Sequence, residues 1–333
     1  MEDGGAGAGV GDAGGGGRPG VDDQCDRGRE RKFAVCLDLK TGVVLVNRKL
    51  WDNPDPEPLG NKVNSYGSPS AAADAERVYL SFGSYGTVCL DAQSGDEIWR
   101  RRDLPCSHLR GPGSSPVLWG DFLILTMDGA DVQYLVALDK KTGKTIWRQD
   151  RSTEWGDIEP DGSIKADGDL RKAYSTPVFT EVGGKEIMIS IGARATWAYD
   201  PATGKELWQV PYAGFSNASR AVVGDGAVFL NTGYGKAQLW RVRLDPAAAG
   251  DISGSHVEWK LIKNVPQRST PVYLDGHLYM VDDGGIASCV DAKTGEQVWS
   301  ERVRGNFSAS ALCSAEKRVY FFDERGKSYV VAA

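Results

Sequence analysis

Histidine is scarce in this chain. Three copies, His108, His256 and His277, lie far apart in 333 residues. The six cysteines, Cys25, Cys36, Cys89, Cys106, Cys289 and Cys313, include no adjacent pair and no CxxC pair. A zinc site needs several such ligands at short spacings, so no metal site is expected. No apolar run approaches the roughly 18 residues that carry a helix across a bilayer, so no transmembrane segment is expected. Excess positive charge is missing too: 39 Lys and Arg stand against 45 Asp and Glu, for a net charge of −6 and a pI near 5.3. A nucleic-acid binder shows a basic face, and anionic membrane surfaces attract basic segments; neither partner is expected. Amphipathic helical periodicity is also lacking, which excludes a helical fold.

The first twenty residues are half glycine, carry acidic side chains and have no apolar core of the kind a signal peptide needs. Two expectations follow. Either the protein stays in the cytosol, or this start is not the natural one and an export signal has been lost. Residues 1–32 are expected to form a disordered glycine-rich tail, with one folded domain over 33–333.

What is present is a repeat, the signal to seek first because it decides the whole fold. Asp91, Gly95 and Trp99 recur as Asp139, Gly143 and Trp147, as Asp200, Gly204 and Trp208, and as Asp291, Gly295 and Trp299. The shared pattern is Asp-x-x-Thr/Ser-Gly-x-x-x-Trp, with Pro-Ala-Thr before the glycine in the third copy. A first copy, Asp38 to Gly42, has Val46 in the tryptophan position, and a stretched copy has Asp245, Gly254 and Trp259. Asp is suited to end a strand because its carboxylate accepts turn N–H groups. Gly supplies a positive φ, and Trp supplies a large flat face for packing between modules. The six aspartates are 45 to 61 residues apart.

A second element precedes each Asp: Ser68-Pro69, Ser115-Pro116, Thr176-Pro177 and Thr270-Pro271, with Ser219-Arg220 and Ser310-Ala311 as variants. Two short alternating runs follow it, so each unit holds four strands. Four short strands in about 40–50 residues make one propeller blade. The expected fold is therefore all-β: a β-propeller of four-stranded blades, with seven blades or a truncated eight-blade ring. Arg148 to Lys172, rich in Asp and Gly, is expected to be an insertion loop; its acidic spacing does not match an EF-hand.

The Ala-x-Asp-x-x-Thr-Gly-x-x-x-Trp pattern resembles the repeat of the pyrroloquinoline-quinone (PQQ) type propellers. That superfamily holds the quinoprotein alcohol dehydrogenases and non-enzymatic members such as BamB, the lipoprotein of the outer-membrane β-barrel assembly machine. The resemblance runs from about Phe33 to the C-terminus. His108–Pro116 and Gly214–Arg220 further resemble exported PQQ-like propellers of planctomycete-type bacteria, so relatives are periplasmic although no signal peptide is visible here. In the quinoprotein enzymes PQQ sits over a ring formed by two adjacent cysteines, next to calcium-binding carboxylates. No adjacent cysteine pair exists here, so no cofactor is expected. Cys36, Cys89 and Cys289 instead occupy the slot two residues before the repeat Asp, which Ala137 and Ala198 fill elsewhere, and are expected to be small buried strand residues.

In a propeller the segments leading into the innermost strands crowd together. Here they carry Asn64, Tyr66, His108, Arg110, Lys172, Tyr174, Asn217, Arg220, Gln267, Arg268 and Asn306. These are the candidate funnel residues, suited to a protein or a small polar or anionic ligand, with Arg and Lys as donors. No catalytic residue is assigned. The first expectation is a monomeric, non-catalytic scaffold that binds a protein or ligand. The alternative is a quinoprotein-like oxidoreductase using PQQ, and a third is hydrolase or lyase chemistry at His108 or Tyr174.

Overall fold

A computed structural model describes residues 31–58 and 64–333. Residues 1–30 of the expected tail, with Cys25, lie outside the described residues. Arg31 and Lys32 belong to the first strand, opposite Asp52 and Trp51. Lys32 is buried with its amine 5.2 Å from the Tyr66 ring centre and 5.4 Å from that of Tyr85, and this cation–π seat explains why the strand starts earlier than its apolar residues.

The chain divides into two compact units, Met1–Arg151 and Ser152–Ala333. The described part of the first holds three antiparallel sheets. They are β1 (Arg31–Leu37) with β2 (Val44–Asp52); β3 (Ala72–Ala73), β4 (Arg77–Ser81), β5 (Thr87–Asp91) and β6 (Glu97–Arg101); and β7 (Val117–Trp119), β8 (Phe122–Asp128), β9 (Gln133–Asp139) and β10 (Thr145–Asp150). The second unit holds four. Their strands are β11 (Val178–Val182), β12 (Lys185–Ile191), β13 (Ala195–Tyr199) and β14 (Glu206–Pro211); then β15 (Val222–Gly224), β16 (Ala227–Asn231), β17 (Leu239–Arg243) and, past β18 (Gly250–Asp251), β19 (Val257–Leu261). Next come β20 (Val272–Leu274), β21 (His277–Val281), β22 (Ile286–Asp291) and β23 (Gln297–Arg302), then β24 (Leu312–Cys313), β25 (Arg318–Phe322) and β26 (Ser328–Ala332). Each sheet is an antiparallel run of strands in sequence order, the blade of a β-propeller, except that β18 leaves its own blade and adds in parallel to β14. First strands of successive blades touch, β3 with β7 and β15 with β20, so the first strand is the inner one.

The core lies between successive blades, and strand alternation puts each side chain on one side or the other. On β16, Val228 and Leu230 join the apolar cluster shared with β12 and β14, while Phe229 joins the one shared with β21. On β5, Val88 and Leu90 pack against β2, while Cys89 packs toward β8 and β9.

Because the strands alternate in direction, the turns between first and second and between third and fourth strands share one end of each blade. The second-to-third turns and the lead-ins to the next blade share the other. At the hairpin end five copies close in one way. The repeat Asp N–H donates to the carbonyl five residues ahead, and the Gly N–H donates to the Asp carbonyl, all at 2.7–2.9 Å for Asp38, Asp91, Asp139, Asp200 and Asp291. The Asp carboxylate accepts the N–H two residues on in each of these, and the third N–H as well in four of them. The glycines sit at φ of +70° to +77°.

Directly across the hairpin from four of the repeat tryptophans is the small slot: Cys89 faces Trp99, Ala137 faces Trp147, Ala198 faces Trp208 and Cys289 faces Trp299, whereas Trp259 faces Arg241. The small residue makes room for the indole, and within a unit the indole reaches the next blade. Trp99 covers Gly143 and donates Nε1–H to the Lys140 carbonyl at 3.0 Å; Trp259 covers Gly295 in the same manner. Val46, in the Trp position of the first copy, covers Gly95. The stretched copy uses its extra residues: β18 pairs parallel with β14 at Trp208 and Gln209, and Ile252 beside it is buried in the cluster around Trp208.

Candidate functional site

The lead-in end holds the candidate residues, and the strand starts set their register. Ser70, Ser115, Thr176, Arg220, Thr270 and Ser310 each stand two residues before a first strand. The register of the first and fourth of these corrects the sequence alignment: Ser70 and Arg220, not Ser68 and Ser219, belong to this row. The Ser70 N–H donates to Ser115 Oγ at 2.9 Å in the first unit; in the second, Arg220 N–H donates to Thr270 Oγ1 at 3.0 Å and Thr270 N–H to Ser310 Oγ at 3.1 Å. A hydroxyl from one blade thus accepts a backbone donor of the blade before it. Arg220 is the member of the row without a hydroxyl.

In the first unit the lead-in is organised by Glu57, a residue that sequence reasoning passed over. Its carboxylate accepts Ser107 Oγ–H at 2.6 Å, Leu109 N–H at 2.9 Å and His108 N–H at 2.8 Å. Its carbonyl accepts Tyr66 Oη–H at 2.6 Å, and Tyr85 Oη–H donates to Tyr66 Oη at 2.9 Å. The available signal was its place between Pro56 and Pro58, which restrict the backbone on both sides. His108 is 3% exposed; its Nε2 accepts Ser84 N–H at 2.9 Å, which puts the neutral ring's proton on Nδ1, 3.9 Å from Cys106 Sγ. With its acceptor nitrogen spent on the backbone, His108 is a loop pin, not a general base. Asn64 Nδ2 donates to the carbonyls of Arg110 and Pro112, each at 2.9 Å. Asn64, Tyr66 and His108 are therefore brought together with the Arg110 backbone as parts of one loop network, and burial raises the pKa of Tyr85 beside them.

In the second unit Lys172 and Asn217 are buried. Ser216 N–H donates to the Lys172 carbonyl and Tyr174 N–H to the Asn217 carbonyl, both at 2.7 Å, which zips two lead-ins together. The Lys172 amine lies 5.2 Å from the Tyr174 ring centre. Asn217 Nδ2 donates to Tyr212 Oη at 3.0 Å and to the Asn231 carbonyl at 3.2 Å. Asp283 accepts Gln267 N–H at 2.6 Å and Arg268 Nε–H at 2.7 Å, and Glu324 lies 3.5 Å from Arg268 Nη2. Asn306 is exposed, and its carbonyl accepts Glu324 N–H at 2.9 Å. Arg220 differs: it is exposed, and its one side-chain bond runs from Nη2 to the Pro177 carbonyl at 3.2 Å.

The insertion is more than a solvated acidic loop. Arg151 makes a bidentate pair with Asp128, at 3.0 and 2.8 Å, with both side chains at most 2% exposed. Within the second unit Asp157 pairs with Arg171, which holds the Asp157 carboxyl below its ordinary range. Among the described residues no cluster of three or more His, Cys, Asp or Glu is placed to hold a metal ion, and no helix is long and apolar enough to cross a membrane.

A sequence profile described as "Outer membrane protein assembly factor BamB" matches residues 28–149, 86–255 and 236–333. The chain belongs to this family. The BamB of Yersinia pestis is 26% identical over 180 residues, 52% of this chain and 40% of that protein. A quinohemoprotein alcohol dehydrogenase, ADH IIB of Pseudomonas putida, is 32% identical over 147 residues, 40% of this chain and 18% of the enzyme. The crystal structure of BamB from Moraxella catarrhalis matches with a TM-score of 0.61 at 16% identity, covering 92% of this chain and 82% of that one. This BamB-like chain therefore has the PQQ-like β-propeller fold. It spans 40% and 39% of the first two curated relatives it matches, the second being the BamB of Moranella endobia.

Proposed function

We propose that this chain is a non-catalytic BamB-like propeller that acts as a protein-binding scaffold, in the sense implied by the relatives named as outer membrane protein assembly factors. The observation that carries this reading is the family match, which runs in three overlapping segments from residue 28 to residue 333. The lead-in end adds support. Its one described histidine, His108, is spent on the Ser84 backbone, and its tyrosines and asparagines serve as loop ties.

A quinoprotein-like oxidoreductase is the second reading, favoured by the Pseudomonas putida relative. The donor set does not fit PQQ. Cys89 and Cys289 are buried within sheets, Cys106 is buried beside His108, and Cys313 is exposed on β24, so no two described cysteines adjoin in sequence to form the ring. Fold alone does not carry activity.

The test is a pair of measurements on the purified, folded chain. Titration with PQQ and calcium, followed by dye reduction with alcohols and sugars, is expected to show no substrate-dependent turnover. An affinity-tagged chain in its own host is expected to enrich outer-membrane assembly proteins over a tag-only control. PQQ-dependent dye reduction would overturn the scaffold reading.

A further inference from the structure

The row of residues before the first strands is built as backbone acceptors, and one position departs from that plan. Thr270 Oγ1 accepts Arg220 N–H and Ser310 Oγ accepts Thr270 N–H, which leaves both hydroxyl protons to be donated elsewhere. Arg220 is the first of the three in this stretch and presents a guanidinium. Five N–H groups are available on that fork, and the Pro177 carbonyl takes one. The other cations among the second unit's candidates are committed. Arg268 lies against Asp283 and Glu324, and Lys172 is buried over Tyr174. Arg220 is open to solvent, yet surrounding protein desolvates its guanidinium enough to lower its pKa, with no carboxylate acting on it. Three donors in succession, without an acid among them, describe a receptor for an acceptor group.

We infer that Arg220, at the head of a row continued by the hydroxyls of Thr270 and then Ser310, is a carboxylate-binding site on the inner edge of the second unit, engaging acidic side chains of a protein partner. The planar fork of Arg matches a carboxylate in two parallel bonds, which a lysine cannot reproduce. A carboxylate is the chemistry specified; a free small acid is its other source. This inference rests on the scaffold reading for the nature of the partner, not for the site itself.

The probe is a fluorescent peptide with four glutamates in a Gly/Ser background, its anisotropy measured at low and at raised salt, beside the same peptide with glutamines. The wild type is expected to prefer the glutamate peptide at least tenfold, with the preference shrinking as salt rises. Arg220→Gln, which keeps an amide able to reach the Pro177 carbonyl, is expected to lose at least tenfold for the glutamate peptide. Arg220→Lys should fall between the two. Lys205→Ala, which removes one exposed turn cation from the same unit, should change binding less than twofold. Citrate binding as tightly as the peptide would keep the carboxylate site and assign it to a free acid. Equal binding of the two peptides by the wild type overturns the site, whatever the variants do. So does unchanged binding by Arg220→Gln with an unchanged melting temperature. If the tagged chain still enriches assembly proteins in that case, the site fails and the scaffold reading stands. PQQ-dependent turnover with intact glutamate preference would be the reverse.

Discussion

The two ends of the blades are held by different kinds of hydrogen bond. At the hairpin end each turn closes on itself: Asp139 accepts the N–H groups of Lys141 and Thr142, three other copies do the same, and Asp200 accepts the first of the two. These groups are exposed, so each bond competes with water and contributes little. At the lead-in end bonds run about fifty residues along the chain, as from Leu109 and His108 to Glu57; apart from the recurring N–H to hydroxyl contact before the first strands, the side-chain ties differ from place to place. A turn that needs only its own residues repeats as often as the module does. A contact between neighbouring loops repeats only where one side of it is backbone, as in the row of hydroxyl acceptors; ties made by side chains alone are made anew in each place.

The contrast is tested hardest by Asp128 and Asp91. Asp128→Asn leaves Arg151 charged, buried and half-paired, a change that costs about 3–5 kcal/mol. Asp91→Asn keeps an amide oxygen for the two turn N–H groups and removes only the charge of an exposed side chain, so it is expected to shift the guanidinium midpoint only slightly. Denaturant unfolding of both variants decides the matter; if Asp91→Asn proves as damaging as Asp128→Asn, the distinction between the two ends collapses.

That division also explains what could be read in the sequence. The hairpin end was legible because one rule recurs: in five copies Asp accepts and Gly takes the positive φ, and Trp99 and Trp259 cover the glycine of the next blade. Even the exception at Val46 obeys it, since Val46 covers Gly95. Cys89, Ala137, Ala198 and Cys289 were legible as buried, while the cause, the indole directly across the hairpin, appears only in the pairing register; Cys36, expected to be buried like them, is only half-buried, because Val46 and not an indole stands across from it. The lead-in end was legible only as a list of polar residues. Whether His108 faces solvent depends on Ser84, and whether Arg268 is free depends on Asp283, neither of them near it in sequence. The register of Arg220 was obscured because Ser219 beside it mimics the repeated hydroxyl. The destination of the stretched copy, β18 against β14, was beyond reach because a two-residue parallel pairing leaves no periodic trace.

A second comparison separates two causes of glycine at one turn position. Gly42 and Gly143 share a φ near +70°, but a Cβ on Gly42 meets nothing within 4 Å while one on Gly143 lies 2.7 Å from the Trp99 ring. Gly42→Ala therefore reads the left-handed backbone alone, a cost of about 1–2 kcal/mol. Gly143→Ala adds an overpacking cost of about 1–3 kcal/mol, because the rigid indole has to move. The difference between the two melting curves measures the contact between blades. Equal losses would mean that the glycine is there for the turn only.

The smallest expected effect concerns acid. The Thr142 hydroxyl and N–H hold the Asp139 carboxyl below its ordinary value of 3.8, and Asp38 and Asp291 are lowered by Thr41 and Thr294 in the same turns. A carboxyl with a lowered folded pKa binds its proton later in the folded state than in the unfolded state. Its contribution is therefore complete above the ordinary value and is lost as pH falls through the folded value. Asp139→Asn should be slightly less stable than the wild type at pH 7, and the gap should narrow in acid, as the pH falls below the ordinary value of 3.8 and through the lowered folded value. Asp157 follows the same sign through Arg171, but its Asn variant also leaves a buried guanidinium half-paired, so its gap at pH 7 should be the wider one. Paired urea melts at the two pH values decide between them. A gap for Asp139→Asn that persists unchanged in acid would show that the turn depends on the shape of the side chain and not on its charge, and the hairpin end would then owe its repetition to geometry alone.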